Sequence, residues 1–244
     1  MQPRLPTSQA IWNEVADLFD RHGLQPPLPK RGRQARRIVM ISPHGFWADP
    51  PPAGLPDTGG QTVMVLELSR QWARRGREVM ILCRRFDGAP GMELLEPGLW
   101  LVRLPAGDER FVPKERLYPL LPALSERAVA ACAHFDANVV VGHYADGMAV
   151  AAEVGARFGL PVVAMPHSLS IAKARGMGLS PTNVDVQLDE GRQFWLRELC
   201  ERTAMAGADV VVATAPDQLA LLRDDYGLQG RVAMVSPRRL TAVF

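Results

Sequence analysis

Short apolar runs alternate with amphipathic stretches through most of this chain. Residues 38–41, 79–82, 99–102, 139–141, 162–165, 210–212 and 232–235 are near-continuous in apolar, largely β-branched side chains. That is the pattern of strands covered on both faces. Between them, residues 62–75, 117–135, 145–158, 186–205 and 216–226 carry apolar positions at helical spacing. Strand alternating with helix predicts an α/β fold, a doubly wound parallel sheet with right-handed crossovers.

Two stretches break the rhythm. Ile11, Trp12, Val15, Leu18 and Phe19 predict a short amphipathic helix over 9–19, ended by Pro26, Pro27 and Pro29. The basic run from Lys30 to Arg37 reads as a solvated linker in preference to an electrostatic tether, so residues 1–36 form a leader ahead of a domain over 37–244. The second break is the stretch 43–57, with Pro43, Pro50, Pro51, Pro52 and Pro56. It is too long for an idle connection and is expected to be a stiff functional loop.

With 244 residues, 47% of them apolar, the chain has enough material for a buried core. A formal charge of +2 supplies no broad basic face, so nucleic acid is not an expected partner. No apolar run approaches the roughly 20 residues that cross a bilayer, and the first residues lack a secretory pattern. The expectation is a cytoplasmic protein with no membrane partner. Cys83, Cys132 and Cys200 are odd in number and widely spaced, which predicts inert thiols and no metal site. Only three of the 28 basic residues are lysines, Lys30, Lys114 and Lys173, so the position of each carries information.

In an open α/β sheet ligands bind beyond the carboxyl ends of the strands. Here that edge is loaded: His44, His143 and His167 each follow a predicted strand, Arg84 and Arg85 end the second, and Lys114 lies in the loop after the third. Three imidazoles on one edge favour a polar site. Asp57-Thr58-Gly59-Gly60-Gln61 precedes the first long helix, and the next acid is Glu67. Bare amides there either hold an anion or serve a turn that needs positive φ. No GxGxxG follows the first strand and there is no GxxxxGK[ST], which disfavours dinucleotide and P-loop chemistry and leaves no cofactor expected. Asp146 can orient a histidine or cap the helix after it, and capping is the default.

The fragments RIVMISPHGF, DTGGQTVMVLELSR, PKERLYP, GHYADG, LPVVAMPHSL, CERTAM before ADVVVAT, and DYGL together resemble one family. It is the group of retaining GT-B glycosyltransferases around sucrose-phosphate synthase and mannosylfructose-phosphate synthase. The resemblance implies a Rossmann-like domain that binds the acceptor. Gly59, Gly60 and Gln61 would hold the acceptor sugar phosphate and face the donor diphosphate. Lys114 and Lys173 are similar to residues that bind the phosphate of fructose 6-phosphate, with Arg197 as one of a basic pair. Leu196 stands where a second basic residue is common. His167 resembles the catalytic-centre histidine that touches the donor hexose, and His44, Arg84, Arg85, His143, Tyr144 and Asp146 are candidates for further sugar contacts. Ser170 stands where relatives often carry glycine.

The same resemblance implies hexosyl transfer from a nucleotide sugar without a catalytic carboxylate pair, the leaving nucleotide being stabilised electrostatically. A nucleotide-sugar domain follows this one in relatives. This chain reads Ser236-Pro237-Arg238-Arg239-Leu240 and ends at Phe244, so that domain is expected to be absent and the donor to need a second domain or chain. The alternatives are a non-catalytic sugar-phosphate-binding or regulatory module and a truncated inactive fragment.

Overall fold

The computed structural model describes Asp17, residues 37–179 and residues 193–235. The expected leader helix and basic linker, and residues 186–192 of the expected helix over 186–205, lie outside the described residues. Eight strands form one sheet: β1 (Arg37–Ile41), β2 (Glu78–Arg85), β3 (Met92–Glu96), β4 (Leu99–Pro105), β5 (Val139–His143), β6 (Val162–Met165), β7 (Val210–Ala213) and β8 (Val232–Met234). Their order is β3-β4-β2-β1-β5-β6-β7-β8, and every neighbouring pair is parallel except β3 with β4. Six helices accompany them among the described residues: α1 (Gly60–Arg74), α2 (Leu121–Phe135), α3 (Tyr144–Phe158), α4 (Ser170–Gly176), α5 (Phe194–Ala206) and α6 (Pro216–Asp224).

The continuous apolar runs are explained by burial on both sides. Val39 and Ile41 of β1 join a core built with α2, α3, α5 and α6, whereas Ile38 and Met40 join a second core with Val65, Leu66, Leu68 and Trp72 of α1. Alternate side chains of one strand therefore feed opposite layers. Close approach matters most at α3, where a Cβ on Gly147 would lie 2.2 Å from the Ile41 carbonyl oxygen. Glycine there lets the helix seat on β1.

Three features depart from the expected elements. β3 is an antiparallel edge strand folded back on β4 through Gly98 (φ +81), and its Leu94 is 63% exposed, so it lacks the buried run that marks the central strands. The helix expected from 117 begins at Leu121, preceded by single-turn 3₁₀ segments at Lys114–Arg116 and Tyr118–Leu120. Pro119 and Pro122 supply no N–H and prevent a continuous α-helical ladder upstream. The short α4 is too brief to have a periodic signature. No helix among the described residues is long and apolar enough to cross a membrane. Cys83, Cys132 and Cys200 are unpaired, the first two buried, and burial pushes the Cys83 thiol up to about 12.

Candidate functional site

β1 pairs with both β2 and β5. The chain leaves β1 toward β2 and leaves β5 toward β6, so a crevice opens at their carboxyl ends, the place where such sheets bind ligands. His44 enters it from the loop after β1. Tyr144 and Asp146 enter it from the first turn of α3. His44 Nδ1 lies 2.8 Å from Asp146 Oδ2, both side chains buried. Asp146 Oδ1 accepts the Gly147 N–H at 2.9 Å, and no side chain caps α3. The orienting role of Asp146, not the default capping role, is the one realised. Tyr144 adopts φ 61, its ring meeting the His44 ring edge-on at 4.9 Å.

The proline-rich loop is pinned at several points. Phe46 N–H donates to Thr58 Oγ1 at 2.8 Å, Trp47 Nε1–H to the His44 carbonyl at 3.0 Å, and Arg103 Nη2 to the Trp47 carbonyl at 2.7 Å. It delivers Gly59 and Gly60 to the start of α1. That helix has no acid in its first turn and no side-chain cap, and a Cβ on Gly59 or Gly60 would meet nothing within 4 Å. Neither glycine has positive φ, so local conformation does not demand them. The space over the amides is open. Gln61 Nε2 donates to Ser42 Oγ at 2.9 Å, holding the turn to the end of β1.

Lys114 is fastened to the same turn. Its N–H donates to Asp57 Oδ2 at 2.8 Å, its ammonium pairs with Asp57 Oδ1, and Glu115 Oε1 lies 2.9 Å away. Burial lowers the ammonium's proton affinity, and the two carboxylates more than offset it, leaving the pKa raised.

The turn after β6 is held from several directions. Arg197, 3% exposed, donates from Nη2 to the Ser168 carbonyl at 2.6 Å and to Ser168 Oγ at 2.9 Å, and its guanidinium carbon sits 4.2 Å from the Tyr144 ring centre. Its Nε donates to Glu201 Oε1 at 2.7 Å. Glu201 is fully buried and also accepts the Ser170 N–H and hydroxyl at 3.1 and 2.7 Å and the Tyr226 hydroxyl. The first amide of α4 is thus answered by a protein carboxylate, whereas that of α1 is not. His167, at φ 54, places Nε2 2.9 Å from His143 Nδ1. With Ser168, Lys173, Arg175, Thr214 and Gln218 it lines a cavity of about 730 Å³ between α4 and α6.

The profile of the glycosyl transferase 4-like domain matches residues 59–238. The chain belongs to this glycosyltransferase family. Mannosylfructose-phosphate synthase of Agrobacterium fabrum is 35% identical over 205 residues, 82% of this chain and 45% of that protein. D-inositol 3-phosphate glycosyltransferase of Xylanimonas cellulosilytica is 33% identical over 214 residues, 84% of this chain and 48% of that protein. Sucrose-phosphate synthase from Thermosynechococcus elongatus superposes with a TM-score of 0.70 at 26% identity, over 82% of this chain and 48% of that one. The chain spans about half the length of the curated relatives it matches. Its fold is the Rossmann-like domain of the GT-B glycosyltransferases.

Within this glycosyl transferase 4-like domain, contacts link His44, Tyr144, Asp146, Arg197, Ser168, His143 and His167 into one rim, and Asp57 ties Lys114 to the Gly59 turn of the same rim. Lys173 faces the neighbouring cavity. Arg84 and Arg85 are directed elsewhere. β2 runs on through both, and Arg84, 2% exposed, spends its guanidinium on the carbonyls of Ala106, Asp108 and Arg110, while Arg85 pairs with Glu109 at 2.6 Å on the surface. Glu201, Ser168 and Gln218 carry no such signal in the sequence pattern, except that Glu201 falls four positions after Arg197 and so on the same helical face.

Proposed function

We propose that this chain is the acceptor-binding half of a retaining hexosyltransferase that moves a hexose from a nucleotide sugar to a sugar phosphate such as fructose 6-phosphate. The observation that carries the reading is the contrast between two helix starts on one rim. α4 has a buried carboxylate on its first amide, and α1 presents Gly59 and Gly60 bare, beside Lys114. An open positive helix end suits an anion supplied from outside, and Lys114, paired with Asp57 and Glu115, fastens the turn that presents it. Lys173, which lines the cavity beside α4, adds charge for the phosphate of the acceptor, whereas Arg197 is already paired with Glu201 and holds the Ser168 turn. Polar groups at His44, Tyr144 and Ser168 suit hydroxyls.

In this reading the α1 amides also face the donor diphosphate, where negative charge grows as the glycosidic bond breaks. Fixed dipoles aimed at such charge stabilise the transition state without reorganising. His167 touches the hexosyl group, and the acceptor hydroxyl attacks on the face the diphosphate leaves. The donor is bound together with a second domain or chain.

Isothermal titration calorimetry tests the acceptor assignment. Saturable heat with fructose 6-phosphate, weakened about 10-fold or more by Lys173→Ala, is expected, since a hydrogen bond to a charged group contributes about 1.5–3 kcal/mol. D-inositol 3-phosphate, named for relatives at comparable identity, is the second ligand arm. Absence of heat with both overturns the proposal.

A further inference from the structure

We propose that His143 is a positioning residue for His167: the two rings share one N–H···N hydrogen bond, which occupies His167 Nε2, fixes the ring and leaves a single nitrogen, Nδ1, for a substrate hydroxyl. His143 Nδ1 and His167 Nε2 are 2.9 Å apart with ring centres at 5.1 Å, so one nitrogen donates and the other accepts. Only protonation of both rings would put an N–H against an N–H.

A packing role does not explain His143. It is 0% exposed at the end of β5, and its Nε2 has no hydrogen-bond partner. An orphaned buried polar atom costs about 1–3 kcal/mol, which a valine in its place would avoid. The partner ring is itself at a sterically unfavourable position, since His167 holds φ 54 without being glycine. Two unfavourable features meeting at one contact mark a functional constraint.

The main chain of the same turn is already fixed by other groups. Gln218 Nε2 donates to the His167 carbonyl at 3.3 Å, Arg197 to the Ser168 carbonyl at 2.6 Å, and Glu201 takes the Ser170 N–H at 3.1 Å. What they leave loose is the imidazole, and His143 is the side chain that holds it. Nε2 is thereby occupied. Nδ1 makes no hydrogen bond among the described residues, and His167 lines the cavity between α4 and α6.

The surroundings favour the neutral pair. Burial lowers the proton affinity of both rings, and His44, the nearest other imidazole, lowers it further, while only Asp146, already paired with His44, raises that of His167. A ring so held orients a hydroxyl by hydrogen bonding and does not shuttle protons. That it orients the transferred hexose rests on the function proposed above; the imidazole pair itself does not.

The test is made on the full ligand-free chain with ¹⁵N-labelled histidine, with ring resonances assigned from single-histidine variants. Expected are a through-hydrogen-bond coupling between His143 Nδ1 and His167 Nε2, and neither ring gaining a proton between about pH 5 and 8. In His143→Phe the coupling vanishes and both His167 ring nitrogens shift, whereas His143→Gln, whose amide can donate to Nε2, leaves the His167 shifts close to the parent. No coupling in the parent chain overturns the proposal, as does an unshifted His167 in a folded Phe variant. The parent spectrum decides alone if the variants do not fold. No sugar is present, so failure here is separate from failure of the calorimetry.

Discussion

His44 and Asp146, 102 positions apart, meet at 2.8 Å across the crevice where β1 and β5 part, and neither is exposed to more than a few per cent. The pair closes the switch point. Replacing Asp146 by alanine leaves the His44 N–H and the Gly147 N–H without their acceptor. A stability loss of about 1–3 kcal/mol per stranded donor is expected. Urea unfolding measures it, and a loss within about 0.5 kcal/mol contradicts the geometry.

Gly60 separates stability from binding. It is a helical residue with open space where a Cβ would go, so Gly60→Ala should leave folding unchanged or strengthen it by about 0.5–1 kcal/mol. The same methyl group fills the space over the α1 amides and should weaken sugar-phosphate binding several-fold. Thermal unfolding paired with calorimetry reads both. Equal affinity in the variant removes the anion site from this turn.

Arg84 and Arg85 are neighbours with opposite expected outcomes. Arg84→Ala strips three carbonyls of their donor and should cost about 2 kcal/mol or more, while Arg85→Ala, which breaks a surface pair, should stay within about 0.5 kcal/mol. Both spend these contacts on the loop at 106–110. Folded Arg85→Ala should therefore titrate fructose 6-phosphate like the parent.

Glu201 gathers Arg197, Ser170 and Tyr226 on one buried carboxylate. Glu201→Gln keeps the shape, removes the charge and leaves Arg197 buried without its counter-ion, a situation that typically costs about 3–5 kcal/mol. Urea unfolding should show a loss of that order. Little change would mean that Arg197 relaxes toward water.

Acid should weaken the fold through the imidazole pair. His167 is pushed down to about 4 by burial and by His44, and His143 is lowered well below its ordinary value, also chiefly by burial. The unfolded chain, with histidines near 6.5, binds protons that the folded chain refuses. The full stability is present above about pH 6.5 and declines toward pH 4, by about 3 kcal/mol from His167. His167→Asn, suited to a left-handed backbone, should flatten that part of the pH dependence of urea unfolding. A parallel pH dependence would show that His167 titrates normally in the folded state.

Much of the architecture was legible because covering a strand on both faces demands a short unbroken apolar run, and such runs mark β1, β2, β4, β5, β6 and β7; the edge strand β8 carries one as well, although its residues are half-buried or exposed. β3, the other edge strand, reads Met-Glu-Leu-Leu-Glu with half-exposed side chains, and its two acids break the run. Among the candidate site residues, the histidines and Lys114 stand out because they follow strands, and ligands in this fold class bind beyond the strands' carboxyl ends. Arg84 looked equivalent. Its extra strand length and the carbonyl-rich loop at 106–110 turned it into a structural anchor.

The order of apolar and polar positions determined the layered α/β sheet, the rim at its carboxyl edge and the bare Gly59-Gly60 turn, since these follow from local periodicity and backbone chemistry. Pairing across the rim was decided only by tertiary structure. Which helix start is already neutralised, which histidine holds which, and which arginine is spent on carbonyls depend on side chains from distant segments meeting within about 3 Å, the range over which hydrogen bonds form. Local sequence carries no record of such distances.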